Sequence, residues 1–562
     1  MKPIFSRFTV ALWVALGFFI SLLPAVEPID LVPNDSELVV VLRNRSTDSA
    51  TPKRIDVLQV VQQIPLLQQV GVDAIDLQNL LKNLNGILAT LEVTPQQLQQ
   101  EIIGEQLLFY YREKSNVRAE EGAVVVQLRD TARFTTLLEK INQLQVEGGE
   151  LGKVVSYKTD TGTIFERTKP AGVEDTSEFY ILKDKIFAIS PNKESLETLL
   201  AQLSGRKKAE PFWRQQLEAH QLQQHPVLAM VNPRALDATL QNDLQQAGAG
   251  EKAFLSEFSK YWQKTESIGL GLTVGENRLD LQLSFRLQPL NLPTAERTAL
   301  ELLATPSDLW QIIPNDAMFA YSAHTDCAAL STIFSRFLLP ADQQEIVSEL
   351  SNVLHPFLEE HPLSDVVGGI SGPNALWVAL PTAKKQWVPN VTLAVKTKAG
   401  DSGEPARRTF QRSMDFTSRL VALQWKGFRV RTDQLGTVKR TTVRYDKHFP
   451  TGLAPSFAVK DDYLLLTSQP DLIADFTAPT PQVGKETGTT LMRISFRSCR
   501  TYLQQHSGEI SMYMQREFPG SITKAELATM EQALTGLDQM ELKLRPTKDG
   551  FRFNLQLQLT PK

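Results

Sequence analysis

The chain is poor in the residues that carry chemistry. Its 562 residues include two cysteines, Cys327 and Cys499, and seven histidines. The histidines are scattered, as His220, His225, His324, His355, His361, His448 and His506. No paired Cys-x-x-Cys or helical His pair offers the ligand framework of a structural zinc site. His324, Asp326 and Cys327 lie close together, but no second ligand pair follows them and the first half has no match, so no metal is expected. His355 and His361 each precede a proline and read as helix punctuation. A dominant charge is also missing: the formal net charge is -4, with 22% charged residues. That gives neither the basic field that nucleic acid needs nor an acidic tail, so nucleic acid is not an expected partner.

Catalytic and cofactor signatures are equally sparse. Gly368-Gly369-Ile370-Ser371-Gly372 has the wrong glycine spacing for a nucleophile elbow and reads as a turn before a strand. Gly148 to Lys153 is one residue short of a phosphate loop, with Val154 where Ser or Thr would hold magnesium. Asp35 and Asp316 occupy equivalent places, yet Pro-Asn-Asp is foremost a turn that launches a strand. Glu120-Glu121 reads as part of a solvated loop. The expectation is a protein that is not an enzyme, with no catalytic, cofactor or metal residues.

What is present begins with an address. Lys2 and Arg7 precede an unbroken apolar or small stretch, Phe8 to Leu23, and Pro24-Ala25 leads into polar sequence at Glu27. This is the pattern of a signal peptide over residues 1–26, with an uncleaved N-terminal anchor as the alternative. The expected location is the periplasm or the extracellular space, with membrane contact only through that segment if it is retained. An oxidising compartment permits a Cys327–Cys499 disulfide; two buried free thiols are the alternative.

The chain then reads as one domain written twice. LVPNDSELVVVLR at Leu31 returns as IIPNDAMFAYSAH at Ile312. Lys183-Asp184 returns as Lys460-Asp461, and Gly162-Thr163 as Gly436-Thr437. A period this long means domain duplication rather than a solenoid. The expected units are a first repeat over 27–288, a linker and connecting helix over 289–304, and a second repeat over 305–562.

Within the first repeat, helical periods over 55–70, 73–88 and 131–144, and a short helix opened by Thr94-Pro95, are interspersed with clustered strands. Frequent hairpins favour an α+β fold with largely antiparallel sheets packed by helices. The closing strands alternate cleanly: Leu279, Leu281, Leu283, Phe285 and Leu287 against Asp280, Gln282, Ser284 and Arg286, and Phe551 to Leu559 likewise. Such strands should have the apolar face buried and the polar face wet.

The lines LVPNDSELVVVL and EFYILKDKIFAISPNKESLETLL, with IIPNDAMFAY and SFAVKDDYLLLTSQPDLIADF in the second half, resemble a family of secreted bacterial proteins classed only as a domain of unknown function. The resemblance implies the architecture and no activity. Two readings of function follow. The first is a two-lobed envelope scaffold that binds a protein or an envelope polymer. The alternative is a carrier of a lipid or other apolar ligand, marked by a sheet face at Leu279, Leu281, Leu283 and Phe285 that no helix fills.

Overall fold

The structure, a computed structural model, describes residues 27–43, 90–94, 97, 102–114, 119–170, 177–206, 211–287, 291–358, 361–382, 386–445, 448–480 and 488–560. The signal segment and the helices expected over 55–70 and 73–88 lie outside the described residues. The fold is α+β, with one antiparallel sheet of twenty strands among the described residues.

The first ten strands are β1 (Leu38–Arg43), β2 (Ile103–Lys114), β3 (Ala119–Leu128), β4 (Lys153–Thr159), β5 (Gly162–Thr168), β6 (Glu178–Lys183), β7 (Ile186–Ser190), β8 (Val227–Val231), β9 (Thr265–Gly275) and β10 (Arg278–Leu287). The second ten are β11 (Phe319–Asp326), β12 (Ile370–Ala379), β13 (Asn390–Thr397), β14 (Phe428–Leu435), β15 (Val438–Tyr445), β16 (Ser456–Lys460), β17 (Tyr463–Thr467), β18 (Thr489–Ser495), β19 (Leu537–Thr547) and β20 (Gly550–Leu559). The pairings place them in the order β4-β5-β6-β7-β3-β2-β1-β8-β9-β10 and then β20-β19-β18-β11-β12-β13-β17-β16-β15-β14. The second half has the order of the first with ten added to each number, reflected about the β10–β20 seam. That seam runs from Arg278 opposite Gln558 to Arg286 opposite Gly550.

The repeated Pro-Asn-Asp segments are turns in both halves. Ser36 N–H donates to the Pro33 carbonyl, and Ala317 N–H to that of Pro314, each at 3.1 Å. The same carbonyls are held from across the fold, Pro33 by Trp213 Nε1 at 2.9 Å and Pro314 by an Arg493 guanidinium nitrogen at 2.8 Å. Asp35 is an exposed partner of Arg112, and Asp316 is exposed. The hairpins at Asp184 and Asp461 turn through left-handed residues, with φ of 53° and 51°. Aspartate tolerates that conformation better than most residues.

Continuous apolar runs form strands covered on both faces. On β1, Val39 and Val41 join Trp213, Leu108 and Ile181 in one core. Leu42 joins Phe134, Val126 and Phe187 in the core on the other side. Helices start where short polar side chains can cap them: Asp130 Oδ1 accepts from Arg133 N–H at 2.9 Å, and Asn192 Oδ1 from Glu194 N–H at 2.8 Å. Thr94 caps as expected, its Oγ1 accepting from Gln97 N–H at 3.1 Å.

Two expectations are corrected. Glu121 is not in a solvated loop: it lies on β3, 1% exposed, ion-paired with Arg112 and also accepting from Asn192 Nδ2 at 3.2 Å. Of the two alternatives for Cys327 and Cys499, the structure has the free thiols. Cys499 Sγ lies 3.8 Å from the Met318 carbonyl before β11, whereas Cys327 follows the far end of that strand. At roughly 3.3 Å per residue, β11 holds them more than ~20 Å apart, far beyond a disulfide's reach.

The second correction concerns β10. At its middle, the polar side is the more buried one. Gln282 is 7% and Ser284 3% exposed, while Leu279, Leu281, Leu283 and Phe285 are only partly buried. The segment 220–225 covers the polar side: Gln282 Nε2 donates to the His220 carbonyl at 2.8 Å, and Ser284 Oγ sits 2.6 Å from His220 Nδ1. Gly269 and Gly271, facing Ser284 and Gln282 across β9, make this approach feasible. A Cβ on Gly271 would stand 2.7 Å from both His225 Cγ and Leu222 Cδ2.

Candidate functional site

The apolar side of the seam is where a site forms. In register across the central strands stand Ile268, Leu270 and Leu272 on β9, Leu281, Leu283 and Phe285 on β10, and Leu555, Phe553 and Phe551 on β20. Residues two apart on a strand share a face, so these rows make one apolar surface. Leu270 is 36% exposed at its middle.

At one end this surface becomes the floor of a cavity of about 580 Å³. Ile268, Phe285, Leu287 and Phe551 supply the floor. Three helices supply the walls. Ala249–Lys264 contributes Phe258, Tyr261 and Trp262; Thr294–Leu303 contributes Ala299, Leu300 and Leu303; Cys327–Ser335 contributes Leu330 and Ile333. The walls come from both halves of the chain and from the segment that joins them. The first helix is held to the second half by aromatic contacts: Phe337 stacks on Tyr261 with centroids 5.7 Å apart and tilts against Phe254 at 5.4 Å.

Polar groups gather at one side. Glu296, 5% exposed, takes the Tyr261 hydroxyl and the Arg336 guanidinium on Oε1. Its Oε2 is buried without a hydrogen-bond partner among the described residues. Burial, reinforced by the Glu296 hydrogen bond, pushes the Tyr261 phenol up to about 12, so it stays a donor at neutral pH. His324, on β11, is pushed below the usual histidine range by burial, against a smaller opposing effect of its bond to the Pro306 backbone. Its Nε2 is also buried and unpartnered. Imidazole bonded through Nδ1–H to a carbonyl presents Nε2 as an acceptor. Asp326 is committed elsewhere, Oδ1 to the Ala329 N–H at 2.9 Å and Oδ2 to the Ser371 hydroxyl at 3.2 Å.

The arrangement suits binding: apolar walls fix a ligand body, and two unpaired acceptors can orient a donor group. A second cluster resembles a nucleophile–base pair but is sealed. His220 bonds Ser284 Oγ at 2.6 Å and Ser267 Oγ at 2.8 Å, and all three residues are at most 3% exposed. No group of three or more His, Cys, Asp or Glu among the described residues is placed to hold a metal.

The sequence pointed to Phe285 and to the closing strands, and it placed His324, Asp326 and Cys327 together at a strand end, as found. It did not single out Tyr261, Trp262, Glu296 or Leu300. The signal was there in the connecting helix, whose Ala299, Leu300 and Leu303 recur at helical spacing in what reads as a mere linker.

No family model matches the chain, and no curated protein matches it in sequence. Among solved structures, crystal form IV of TP0453 is 12% identical, covering 47% of this chain and 81% of that one with a TM-score of 0.23. Crystal form I of TP0453 is 13% identical, covering 50% and 87% with a TM-score of 0.24.

Proposed function

We propose that this is an exported protein that binds an apolar ligand in the cavity at the seam between two related halves. One observation carries the reading: a sheet face rich in leucine and phenylalanine, left partly uncovered, runs into a cavity walled by apolar side chains. An open apolar surface forgoes roughly 25 cal/mol for each Å² left in water, so it marks a surface with another use. The volume falls within the range of small-ligand sites, about 300–1,000 Å³. Glu296 Oε2 and His324 Nε2 favour a ligand with an apolar body and one donor group, such as a hydroxyl or an amine. Export rests on the Lys2–Ala25 segment, and domain duplication is supported by the repeated strand order. The uncovered face favours the carrier over the two-lobed scaffold.

Native mass spectrometry of the chain, purified from its own source without detergent, tests this. Added mass of lipid size, lost when an apolar probe is titrated in, is the expected result. A bare chain that also fails to take up the probe overturns the reading.

A further inference from the structure

A second surface lies away from the cavity, near the β14 end of the sheet. The helix Glu404–Gln424 packs over β14 and β16, burying Pro405, Ala406, Thr409 and Ser418. Arg412, Phe416, Arg419, Leu420 and Leu423 recur at intervals that place them on one face, and all five are exposed. Leu423 is 85% exposed, and Trp425, just past the helix, 56%. The neighbouring helix Pro340–Leu358 meets this face through Phe357, 5.3 Å from Phe416, and adds Val353, 69% exposed. Of its exposed acids, Asp342 and Glu345 lie toward the opposite end and Glu349 lies one turn before Val353.

Along the helix Glu404–Gln424 and the segment after it the charge is one-sided. Residues 404–431 hold seven Arg or Lys and two acids, in a chain whose net charge is -4. Both acids are engaged locally: Asp415 by Lys439 at 2.5 Å and Thr441 at 3.0 Å, and Glu404 by Arg408 at 2.8 Å. Arg412, Arg419, Lys426, Arg429 and Arg431 are exposed beside the apolar residues. The fold does not require this. The helix at the same place in the first half, Thr131–Glu147, carries two basic and two acidic residues.

We propose that this face docks on an anionic lipid surface. An exposed apolar stripe flanked by long cationic side chains is the pattern of an interfacial helix. The apolar stems of Arg and Lys can lie along the stripe while their charges reach phosphates. Trp425, edge-on to Phe428 at 5.7 Å, is an aromatic of the kind that settles at headgroup depth. The proposal does not depend on the cavity.

Sedimentation of the full chain with vesicles tests it, comparing phosphatidylcholine alone with a mixture containing phosphatidylglycerol. The expected result is binding to the mixed vesicles only, weakening as salt rises. Each basic residue near such a surface strengthens binding by roughly five-fold, so Arg419→Glu with Lys426→Glu should weaken it by at least about 25-fold. Leu423→Asp should weaken it as well, while Leu144→Asp on the matching helix of the first half should not. These side chains are exposed, and an unchanged melting temperature checks that each variant is folded. Failure to bind the mixed vesicles, equal binding to both kinds, or undiminished binding by folded Leu423→Asp overturns the proposal. Release from the mixed vesicles by polyglutamate but not by matched salt also overturns it, assigning the face to an acidic protein.

Discussion

At the scale of single residues, two buried polar groups determine how the protein responds to change. His220 is lowered to about 4, first by burial and then by the nearby Arg286 and Arg552 charges. Its ordinary value is 6.5, so between those values the unfolded chain binds the proton and the folded one does not. This contribution to stability is therefore complete above 6.5 and is lost as pH falls toward 4. The difference corresponds to about 3 kcal/mol. Urea denaturation across this range should show the loss, and His220→Gln should flatten it relative to the parent. Glu121 is held by Arg112, Asn192 and Ser195. Without Glu121, Arg112 keeps Asp35, but Asn192 and Ser195 lose a buried acceptor, so Glu121→Ala should cost about 1–3 kcal/mol in the same measurement. Neither role was legible in the sequence. The partners of Glu121 lie nine residues away on the facing strand and more than seventy residues on, whereas Pro33-Asn34-Asp35 and Lys183-Asp184 form their turns with neighbours and could be read directly.

At the scale of elements, the strands were legible and their orientation was not. Alternation tells which residues share a face, and it did so for β10 and β20. It does not tell which face the rest of the chain covers. On β10 the polar face is covered, because segment 220–225 brings a carbonyl and an imidazole that satisfy Gln282 and Ser284. The close approach rests on the two bare positions in β9. Gly271→Ala would press on Leu222 and His225, and overpacking of this kind costs about 1–3 kcal/mol. A thermal melt should show the loss. On the opposite face, Ala299→Trp narrows the cavity without touching the buried polar cluster. Uptake of a fluorescent apolar probe should fall at least about ten-fold, the equivalent of ~1.4 kcal/mol, with little change in melting temperature.

At the scale of the whole molecule, the repeated motifs say nothing of how the two halves of the chain meet. Nothing within a strand names its neighbour, and β10 and β20 carry the same kind of alternation. The structure joins them edge to edge and reinforces the seam with Arg552, whose guanidinium donates to Gln221 Oε1 at 2.9 Å and to the His220 carbonyl at 3.1 Å. Phe285 and Phe551 meet across it at 5.1 Å. A protease site inserted between Leu287 and Asn291 should therefore give two fragments that still co-elute on size exclusion. Separation without denaturant would show that the covalent link, and not the seam, holds the halves together.

The position of the seam strands in the chain sets a time order. β10 completes the pairing order of the first half by Leu287, yet its outer edge has no partner until β20, Gly550–Leu559, emerges after the rest of the second half. Throughout synthesis of the second half, the growing protein carries an exposed strand edge rich in leucine, the kind of template that recruits other chains. The seam is thus closed by β20, and a chain truncated before Gly550 would keep nearly all its core while offering two unpaired edges, at β10 and β19, to its neighbours.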